Sequence, residues 1–321
     1  MSAPLVLAMP GNDAMARALV ARLGGDYQEI EVRAFPDGET YLRLGSDPKG
    51  RTLVIVCTLD HPNDKLLALL FAAATARELG AATIGLAAPY LAYMRQDRRF
   101  KSGEAVTSRE VAALISDAFD WLVTVDPHLH RYASLGDIYR IPTGVVHAAP
   151  LISDWIRTQV QDPLIIGPDS ESEQWVAAVA TDVQAPFTVL EKARHGDRDV
   201  TISVRNLRAL GSRTPVLLDD IVSTGRTMLE AARHLESRST RRPVCIAVHG
   251  LFVDHSDRLL ADAGARVVTS NTVPHPSNGI DVVPLLEPAI RKTLDEAVQR
   301  VAGNRGSDSN DVLRIEKTTQ K

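Results

Sequence analysis

The sequence predicts an α/β protein of two domains, each built on a mainly parallel sheet flanked by helices. Short Val-, Ile- and Leu-rich runs alternate with longer amphipathic stretches, and this alternation breaks once, near residues 144–150. Strand-like runs that alternate with helix-like ones are typical of parallel sheets covered on both faces. With 321 residues, the chain is long enough for two domains of ordinary size.

The elements follow in order along both halves. The opening stretch, MSAPLVLAMPGND, has no basic residues and breaks at Pro10, which predicts a first strand and not a signal peptide. The other predicted elements of the first half are strands at Leu53–Cys57, Thr83–Ala87 and Leu122–Val125 and helices at Lys65–Leu79 and Val111–Phe119. Those of the second half are strands at Leu164–Gly167, Phe187–Leu190, Val216–Leu218, Val244–Val248 and Val267–Ser270 and helices at Trp175–Val183 and Met228–Leu235.

This common plan predicts a duplicated architecture, with domains at 1–145 and 146–302. Residues 303–321 lack apolar periodicity and are rich in Gly, Ser, Asn, Asp and Lys, which predicts a disordered tail.

Composition limits the classes of function. Apolar residues make up 45% of the chain and charged residues 24%, as in soluble globular proteins. The net charge of −4 argues against general binding to nucleic acid or to a membrane, and no apolar run is long enough to cross a bilayer. Cys57 and Cys245 lie in apolar runs without CxxC spacing, so we expect reduced core thiols and a cytoplasmic protein.

The most informative motif is residues 215–229, PVLLDDIVSTGRTML, because a buried strand ends in two carboxylates and a hydroxyl- and glycine-rich turn before a helix. The N–H groups of Ser223 to Thr227 and the helix dipole can hold a phosphate without a lysine. Gly225 permits the tight turn. Asp219 and Asp220 suit ribose hydroxyls or a divalent cation. An ordinary strand–turn–helix junction with an Asp cap is the alternative.

Two further motifs occur in the first half. FPDGE, residues 35–39, is a turn that can display Phe35 for stacking on a base, although a turn capped by a core Phe is also common. Residues 90–109 carry five cations between Arg95 and Arg109, which suits a polyphosphate or an ordinary solvated loop. We expect Thr107 or Ser108 to cap the helix that follows.

Other polar residues follow predicted strands. The first group is DPHLH, in which His128 can reach a metal or a phosphate, although a capping role is equally open and a zinc site lacks a third soft ligand. Asp169 opens a helix after the strand at 164–167, and Lys192 and Arg194 stand two residues apart after another strand, with surface solvation as their alternative.

Taken together, FPDGE, YMRQDRR, TVDPHLH, GPDSE, LEKAR and LDDIVSTGRT occur in this order, and the set resembles the ribose-phosphate pyrophosphokinase family over about residues 3–302. The resemblance implies two phosphoribosyltransferase-like domains. It implies transfer of the β,γ-diphosphoryl group of ATP to the C1 hydroxyl of ribose 5-phosphate with Mg²⁺, in a homo-oligomer that is a dimer or a multiple of dimers.

The resemblance also implies roles for individual residues. Phe35, Asp37 and Glu39 would hold adenine, with Phe35 donated across a subunit interface, and Arg95, Gln96 and Asp97 would grip ATP. His128 and Asp169 would position the Mg²⁺–ATP complex. Lys192 and Arg194 would neutralise charge on the transferred group. Ribose 5-phosphate would be held by Asp219, Asp220, Ser223, Thr224, Gly225 and Thr227.

Departures from the usual family pattern predict a divergent, archaeal-like member. Ser223 stands where bacterial and eukaryotic members usually have Asp, Ser170-Glu171 replaces Gly-Gly, and Pro127 replaces Leu. These departures leave phosphate activation and ADP inhibition open. Two other functions remain as alternatives: a phosphoribosyltransferase that consumes the activated sugar, which would need neither FPDGE nor LEKAR, and a non-catalytic protein that regulates a synthetase.

Overall fold

The computed structural model describes residues 3–168, 172–194, 200–204, 211–236 and 241–316, the side chains of residues 191–194, 200–204, 236 and 301–316 excepted. The chain divides into two compact units. The first unit comprises residues 1–146 and 283–321, and the second comprises residues 147–282.

The first unit contains a seven-stranded sheet in the order β3-β2-β1-β4-β5-β6-β7. Its strands are β1 (Leu5–Ala8), β2 (Asp26–Ala34), β3 (Thr40–Leu44), β4 (Thr52–Val56), β5 (Thr83–Ala88), β6 (Trp121–Val125) and β7 (Thr143–Val146). All neighbouring strands are parallel except β2 and β3, which pair antiparallel. The predicted parallel sheet is therefore confirmed, with an antiparallel hairpin at one edge.

The α-helices that the structure describes in the first unit are α1 (Asp13–Leu23), α2 (Pro62–Glu78), α3 (Thr107–Ala118) and α8 (Val283–Glu316). The helix α8 packs against β6, β7 and α1. Gly144 on β7 permits this close approach, because a Cβ there would lie 2.5 Å from Oγ1 of Thr293. The C-terminal helix thus completes the first unit although it follows the second in sequence.

The placement of α8 differs from the predicted organisation in two respects. Residues 283–302 were expected in the second domain, but their apolar face is buried on the sheet of the first unit. The predicted disordered tail overlaps the helix, which continues to Glu316, while residues 317–321 lie outside the described residues. Helix propagation explains this difference, since each residue added to an existing helix makes one more hydrogen bond at little cost even in a polar sequence.

The second unit repeats the plan with a seven-stranded sheet in the order β10-β9-β8-β11-β12-β13-β14. Its strands are β8 (Pro163–Gly167), β9 (Phe187–Arg194), β10 (Val200–Val204), β11 (Thr214–Val222), β12 (Val244–Gly250), β13 (Arg266–Ser270) and β14 (Asn278–Ile280). Its helices are α4 (Ala149–Gln159), α5 (Glu173–Asp182), α6 (Arg226–Glu236) and α7 (Ser256–Asp262). Only β9 and β10 pair antiparallel among the described strands of this sheet.

Each sheet has a dry core. The predicted core thiols are confirmed: Cys57 and Cys245 are buried, and burial raises the pKa of each thiol to about 12. In the first unit the Trp121 ring is fully buried and covers Gly85, where a Cβ would lie 1.8 Å from the indole. Among the helices that the structure describes, none is both long and apolar enough to cross a lipid bilayer.

Candidate active site

The phosphate loop, residues 219–227, lies where β11 ends at the carboxyl edge of the second sheet. The strand runs to Val222, four residues beyond the predicted end at Leu218, and α6 begins at Arg226. β11 is flanked by β8 and β12, so the chain segments that follow all three strands meet at one edge. Such an edge is the usual ligand-binding position in α/β folds.

The two carboxylates of the loop are held by local hydrogen bonds. Asp220 N–H donates to Oδ1 of Asp219 at 2.9 Å, and Ile221 N–H donates to Oδ1 of Asp220 at 2.7 Å. Both side chains are half-buried. This arrangement fixes two adjacent carboxylates at the strand end, as ribose hydroxyls or a cation would require.

The turn itself uses the conformation that only glycine adopts easily. Gly225 has a φ of +61°, and its carbonyl accepts the N–H of Leu229 at 2.8 Å. Thr224 is exposed, and Ser223 and Thr227 are half-buried. The first N–H groups of α6 and the dipole of the helix therefore face an accessible turn, which suits an anion.

A strained segment, residues 251–256, supports the turn from behind. Its Phe252, Asp254 and His255 all have positive φ values, of 44°, 56° and 57°. The Ser223 carbonyl accepts both the N–H of Val253 at 3.0 Å and the hydroxyl of Ser256 at 2.7 Å. Left-handed backbone at non-glycine residues costs on the order of 1 kcal/mol each and clusters at functional sites. Nothing in the sequence motif indicated this segment.

Of three further predicted residues in this unit, two are placed by their backbone alone and one is not described. The strand β9 extends to Arg194 and pairs with β10, so Lys192 and Arg194 stand two residues apart on extended backbone. Asp169 lies outside the described residues.

The cationic loop, residues 95–104, follows β5 at the carboxyl edge of the first sheet. Arg95 is exposed, whereas the Asp97 carboxylate is only 3% exposed and lies 3.0 Å from Nη1 of Arg131. Oε1 of Gln96 accepts the Thr107 hydroxyl at 3.1 Å. The loop is therefore anchored at its base and is not an ordinary solvated loop throughout.

The expected hydroxyl cap of α3 is wrong. Val106 occupies the cap position, and no side chain caps the helix there. The Thr107 hydroxyl instead binds Gln96, and Oγ of Ser108 lies 3.0 Å from Oη of Tyr132. The Thr107 hydroxyl thus contacts the cationic loop and the Ser108 hydroxyl contacts Tyr132, and neither caps the helix.

His128 lies in the segment that follows β6, next to the cationic loop because β5 and β6 are paired neighbours. Its ring packs edge-on against that of His130, with centroids 3.9 Å apart. The backbone of Asp126 has a φ of 34°, and its N–H donates to Val146 O at 3.0 Å. The first unit thus brings the cationic loop and His128 to one edge.

The turn at residues 35–39 joins β2 to β3 at the tip of a projecting hairpin. Phe35 is 41% exposed and packs edge-on against Tyr41, so it displays its ring and is not a core cap. In the strand order β2-β1-β4-β5, the strands that precede this turn and the cationic loop lie three strand spacings, or roughly 14 Å, apart. Both segments follow the carboxyl ends of parallel strands, but these two strands are not neighbours.

Family models match both halves of the chain. A family model of the N-terminal domain of ribose phosphate pyrophosphokinase matches residues 5–118, and a model of the phosphoribosyl transferase domain matches residues 134–286. A ribose-phosphate pyrophosphokinase of Sulfolobus acidocaldarius is 33% identical over 290 residues, which cover 88% of this chain and 96% of that protein. The chain belongs to the ribose-phosphate pyrophosphokinase family.

Other relatives agree. The ribose-phosphate pyrophosphokinase of Methanopyrus kandleri is 34% identical over 303 residues, which cover 93% of this chain and 100% of that protein. The solved structure of phosphoribosylpyrophosphate synthetase from Mycobacterium smegmatis has a TM-score of 0.78 at 23% identity, covers 91% of this chain and shows the same fold. The predicted resemblance and fold are confirmed, and the two pyrophosphokinases compared are archaeal, as the Ser-Thr-Gly form of the loop predicted.

The pyrophosphokinase family assignment raises the question of a metal. In the described part of the chain, no three His, Cys, Asp or Glu side chains are grouped so that they could hold an ion. Mg²⁺ needs no such cage when it arrives with a nucleotide, because it keeps several waters and binds phosphate oxygens with one or two carboxylates. Asp219 and Asp220 supply oxygen donors of this kind, so they suit a Mg²⁺ ion that is also bound by substrate oxygens. Of the two residues predicted to position Mg²⁺–ATP, His128 follows β6 in the first unit, and Asp169 lies outside the described residues.

Proposed function

We propose that this chain is a ribose-phosphate diphosphokinase, which converts ATP and ribose 5-phosphate to AMP and 5-phospho-α-D-ribose 1-diphosphate. The observation that carries the proposal is the phosphate loop, in which two fixed carboxylates precede a left-handed Gly225 at the start of α6. The names of its pyrophosphokinase relatives support the same reaction. The product would feed nucleotide biosynthesis.

The second unit would hold ribose 5-phosphate. The turn at Ser223, Thr224, Gly225 and Thr227 would bind the 5-phosphate through backbone N–H groups and hydroxyls, because both suit an anion at a helix start. Asp219 and Asp220 would accept ribose hydroxyls and orient the C1 hydroxyl. Lys192 and Arg194 would donate hydrogen bonds to the diphosphoryl group as its charge develops.

The first unit would hold ATP. Phe35 would stack on adenine, and Asp37 and Glu39 would accept from its amino group. Arg95 and Gln96 would bind the polyphosphate. Asp97, which is buried at the base of the same loop, would hold them in position. His128 and Asp169 would position Mg²⁺–ATP. When bound, Mg²⁺ would supply charge neutralisation at the phosphates.

A homo-oligomer, a dimer or a multiple of dimers, is part of the proposal. The hairpin that carries Phe35 forms one edge of the first sheet, and its strand β2 is not a neighbour of β5, which precedes the cationic loop. In the proposed oligomer, a second copy of the chain would donate the exposed Phe35 to that loop. We further propose that the protein acts in the cytoplasm on these small molecules.

Product analysis tests this reaction. Purified full-length chain is incubated with ATP, Mg²⁺ and ribose 5-phosphate, and nucleotides and sugar phosphates are separated. Formation of AMP that requires ribose 5-phosphate is the expected result. ADP as the nucleotide product would indicate a γ-phosphoryl kinase, and consumption of added activated sugar with a base would favour a phosphoribosyltransferase. An inactive but folded chain would favour the regulatory alternative.

A further inference from the structure

We propose that Arg131 is a positioning residue that holds the cationic loop, residues 95–104, against the segment carrying His128. The proposal rests on the proposed function, in which this loop binds the polyphosphate of ATP. Its evidence is a set of contacts within the first unit.

The Asp97 carboxylate is the buried half of an ion pair. Its side chain is 3% exposed, and Nη1 of Arg131 lies 3.0 Å from each of its two oxygens. A carboxylate removed from water needs a partner of this kind, because an unpaired buried charge is far more costly than a surface pair is favourable. Asp97 is therefore an anchor of the loop, and Arg131 is what holds it.

The next residue adds a second link to the same loop. Oη of Tyr132 donates to the main-chain carbonyl of Asp97 at 3.1 Å and lies 3.0 Å from Oγ of Ser108. Ser108 lies in the first turn of α3, which follows the loop, and its N–H donates to Gln96 O at 3.4 Å. Tyr132 therefore contacts both the first residues of the cationic loop and the helix that follows it, while Arg131 pairs with Asp97.

Arg131 also reaches the tip of the loop. The Phe100 ring is 55% exposed, and its centroid lies 4.7 Å from the guanidinium of Arg98 and 5.7 Å from that of Arg131. Cation–π attraction acts over these distances. One guanidinium therefore contacts both the buried base and the exposed tip.

Through these contacts, Arg131 links the cationic loop to the segment that carries His128. It lies three residues after His128, in the segment that follows β6. Loss of Arg131 would let Arg95 and His128 move independently while both bind the same polyphosphate. Misplacement by about 1 Å can lower a rate about a hundredfold, even when the mutated residue is remote from the reacting atoms.

A double-mutant cycle tests the proposal on the full-length chain. Arg131→Met, Asp97→Asn and the double variant are titrated with Mg²⁺–ATP, and KM and kcat are measured for both substrates. Each single variant is expected to weaken Mg²⁺–ATP binding about tenfold, with KM for ribose 5-phosphate within about twofold of wild type. The double variant is expected to bind no more weakly than the weaker single, since both changes break one pair.

A matched control lies in the same unit. Arg140 pairs with Asp117 on the surface, where their side chains are 58% and 75% exposed. Arg140→Met and Asp117→Asn should leave Mg²⁺–ATP binding unchanged, because exposed pairs contribute little. Arg131→Lys should restore part of the affinity, since it keeps the charge but not the planar fork. It also replaces Arg131→Met in the cycle if that variant does not fold.

The outcomes separate this proposal from the proposed function. Unchanged binding in Arg131→Met, or additive losses in the double variant, would overturn the positioning role, because additive losses mean that Asp97 contacts the nucleotide independently. Wild-type chain that binds Mg²⁺–ATP but forms no AMP would contradict the proposed function alone, while the titrations would still decide the role of Arg131.

Discussion

Gly225 is the residue of the phosphate loop whose backbone conformation is hardest for another residue to adopt. Its φ is +61°, and a Cβ there would lie 3.3 Å from Cβ of Ser256. We expect Gly225→Ala to lower the free energy of unfolding by about 1–2 kcal/mol and to raise KM for ribose 5-phosphate, because the turn must open. Urea unfolding and steady-state kinetics measure the two effects.

The control for this change is Gly211→Ala. Gly211 also has a positive φ, of 44°, but a Cβ there would meet no heavy atom within 4 Å. It should lose stability without a change in KM. Equal KM values for both variants would contradict a special role for the Gly225 turn.

A second prediction for a single residue concerns Lys192. Lys192→Ala is expected to lower kcat about a hundredfold to a thousandfold while ribose 5-phosphate still binds, because one charged donor to the transferred group is lost. Turnover and ribose 5-phosphate titration measure this, with the exposed Lys292→Ala as control. Near-normal turnover would remove Lys192 from the catalytic residues.

Some residues of the candidate site could be predicted from the sequence, and others could not. The Asp-Asp and Ser-Thr-Gly residues were predictable because they are contiguous and have local chemical roles. Asp97 and Arg131 were not recognisable as a pair, since they lie 34 positions apart and meet only where β5 and β6 are neighbours. From the sequence alone, a carboxylate in a basic loop cannot be distinguished from a ligand-binding residue, because its burial is not known.

Among the elements, the strained segment 251–256 carries a prediction of its own. The buried hydroxyl of Ser256 donates to Ser223 O at 2.7 Å. We expect Ser256→Ala to cost about 1 kcal/mol of stability and to raise KM for ribose 5-phosphate, because the turn loses one support. Thermal unfolding and kinetics measure both quantities.

Ser153→Ala is the matched control in the same unit. Its hydroxyl is buried and has no hydrogen-bond partner among the residues that the structure describes. Its removal should be neutral or slightly stabilising. A loss as large as that of Ser256→Ala would mean that buried volume, and not the hydrogen bond, sets the effect.

The projecting hairpin of β2 and β3 leads to a test by complementation. Phe35→Ala and Arg95→Ala should each lose most activity. Co-expressed, they should regain about a quarter of wild-type activity, because half of the dimers are mixed and one of their two sites is intact. Activity no greater than the sum of the separate variants would contradict donation of Phe35 across subunits.

The strands were predictable because buried parallel strands are continuous apolar runs. Some strands that were not predicted have half-exposed residues, such as β7 and β14. The helix α4 was not predicted, because its first residues fall at the end of the predicted break near residues 144–150, although Pro150 is of a type favoured in the first helical turn.

In the whole molecule, the C-terminal helix α8 belongs to the first unit although it follows the second unit in sequence. Its contacts with β6, β7 and α1 join segments that are far apart in sequence, so periodicity could not assign it to the first unit. Each unit contains one buried cysteine, Cys57 in the first and Cys245 in the second. Burial raises the pKa of both thiols to about 12, so neither should react with a thiol reagent at neutral pH while its unit is folded.

Truncation after residue 282 is therefore expected to expose Cys57 and to leave Cys245 protected, because α8 packs against β5, β6 and β7 of the first sheet. Thiol labelling followed by peptide mapping measures this. A chain ending at residue 302 is the control and should keep both thiols protected. Labelling of Cys245 alone would contradict the assignment of the helix.

The central claim is that one chain transfers the intact β,γ-diphosphoryl group of ATP to ribose 5-phosphate. Phosphorus NMR of the reaction with Mg²⁺ tests this most directly, since it distinguishes every phosphate of substrates and products. The account predicts AMP and a sugar 1-diphosphate in equal amounts, with neither formed when ribose 5-phosphate is omitted. ADP with a sugar 1-monophosphate would contradict it.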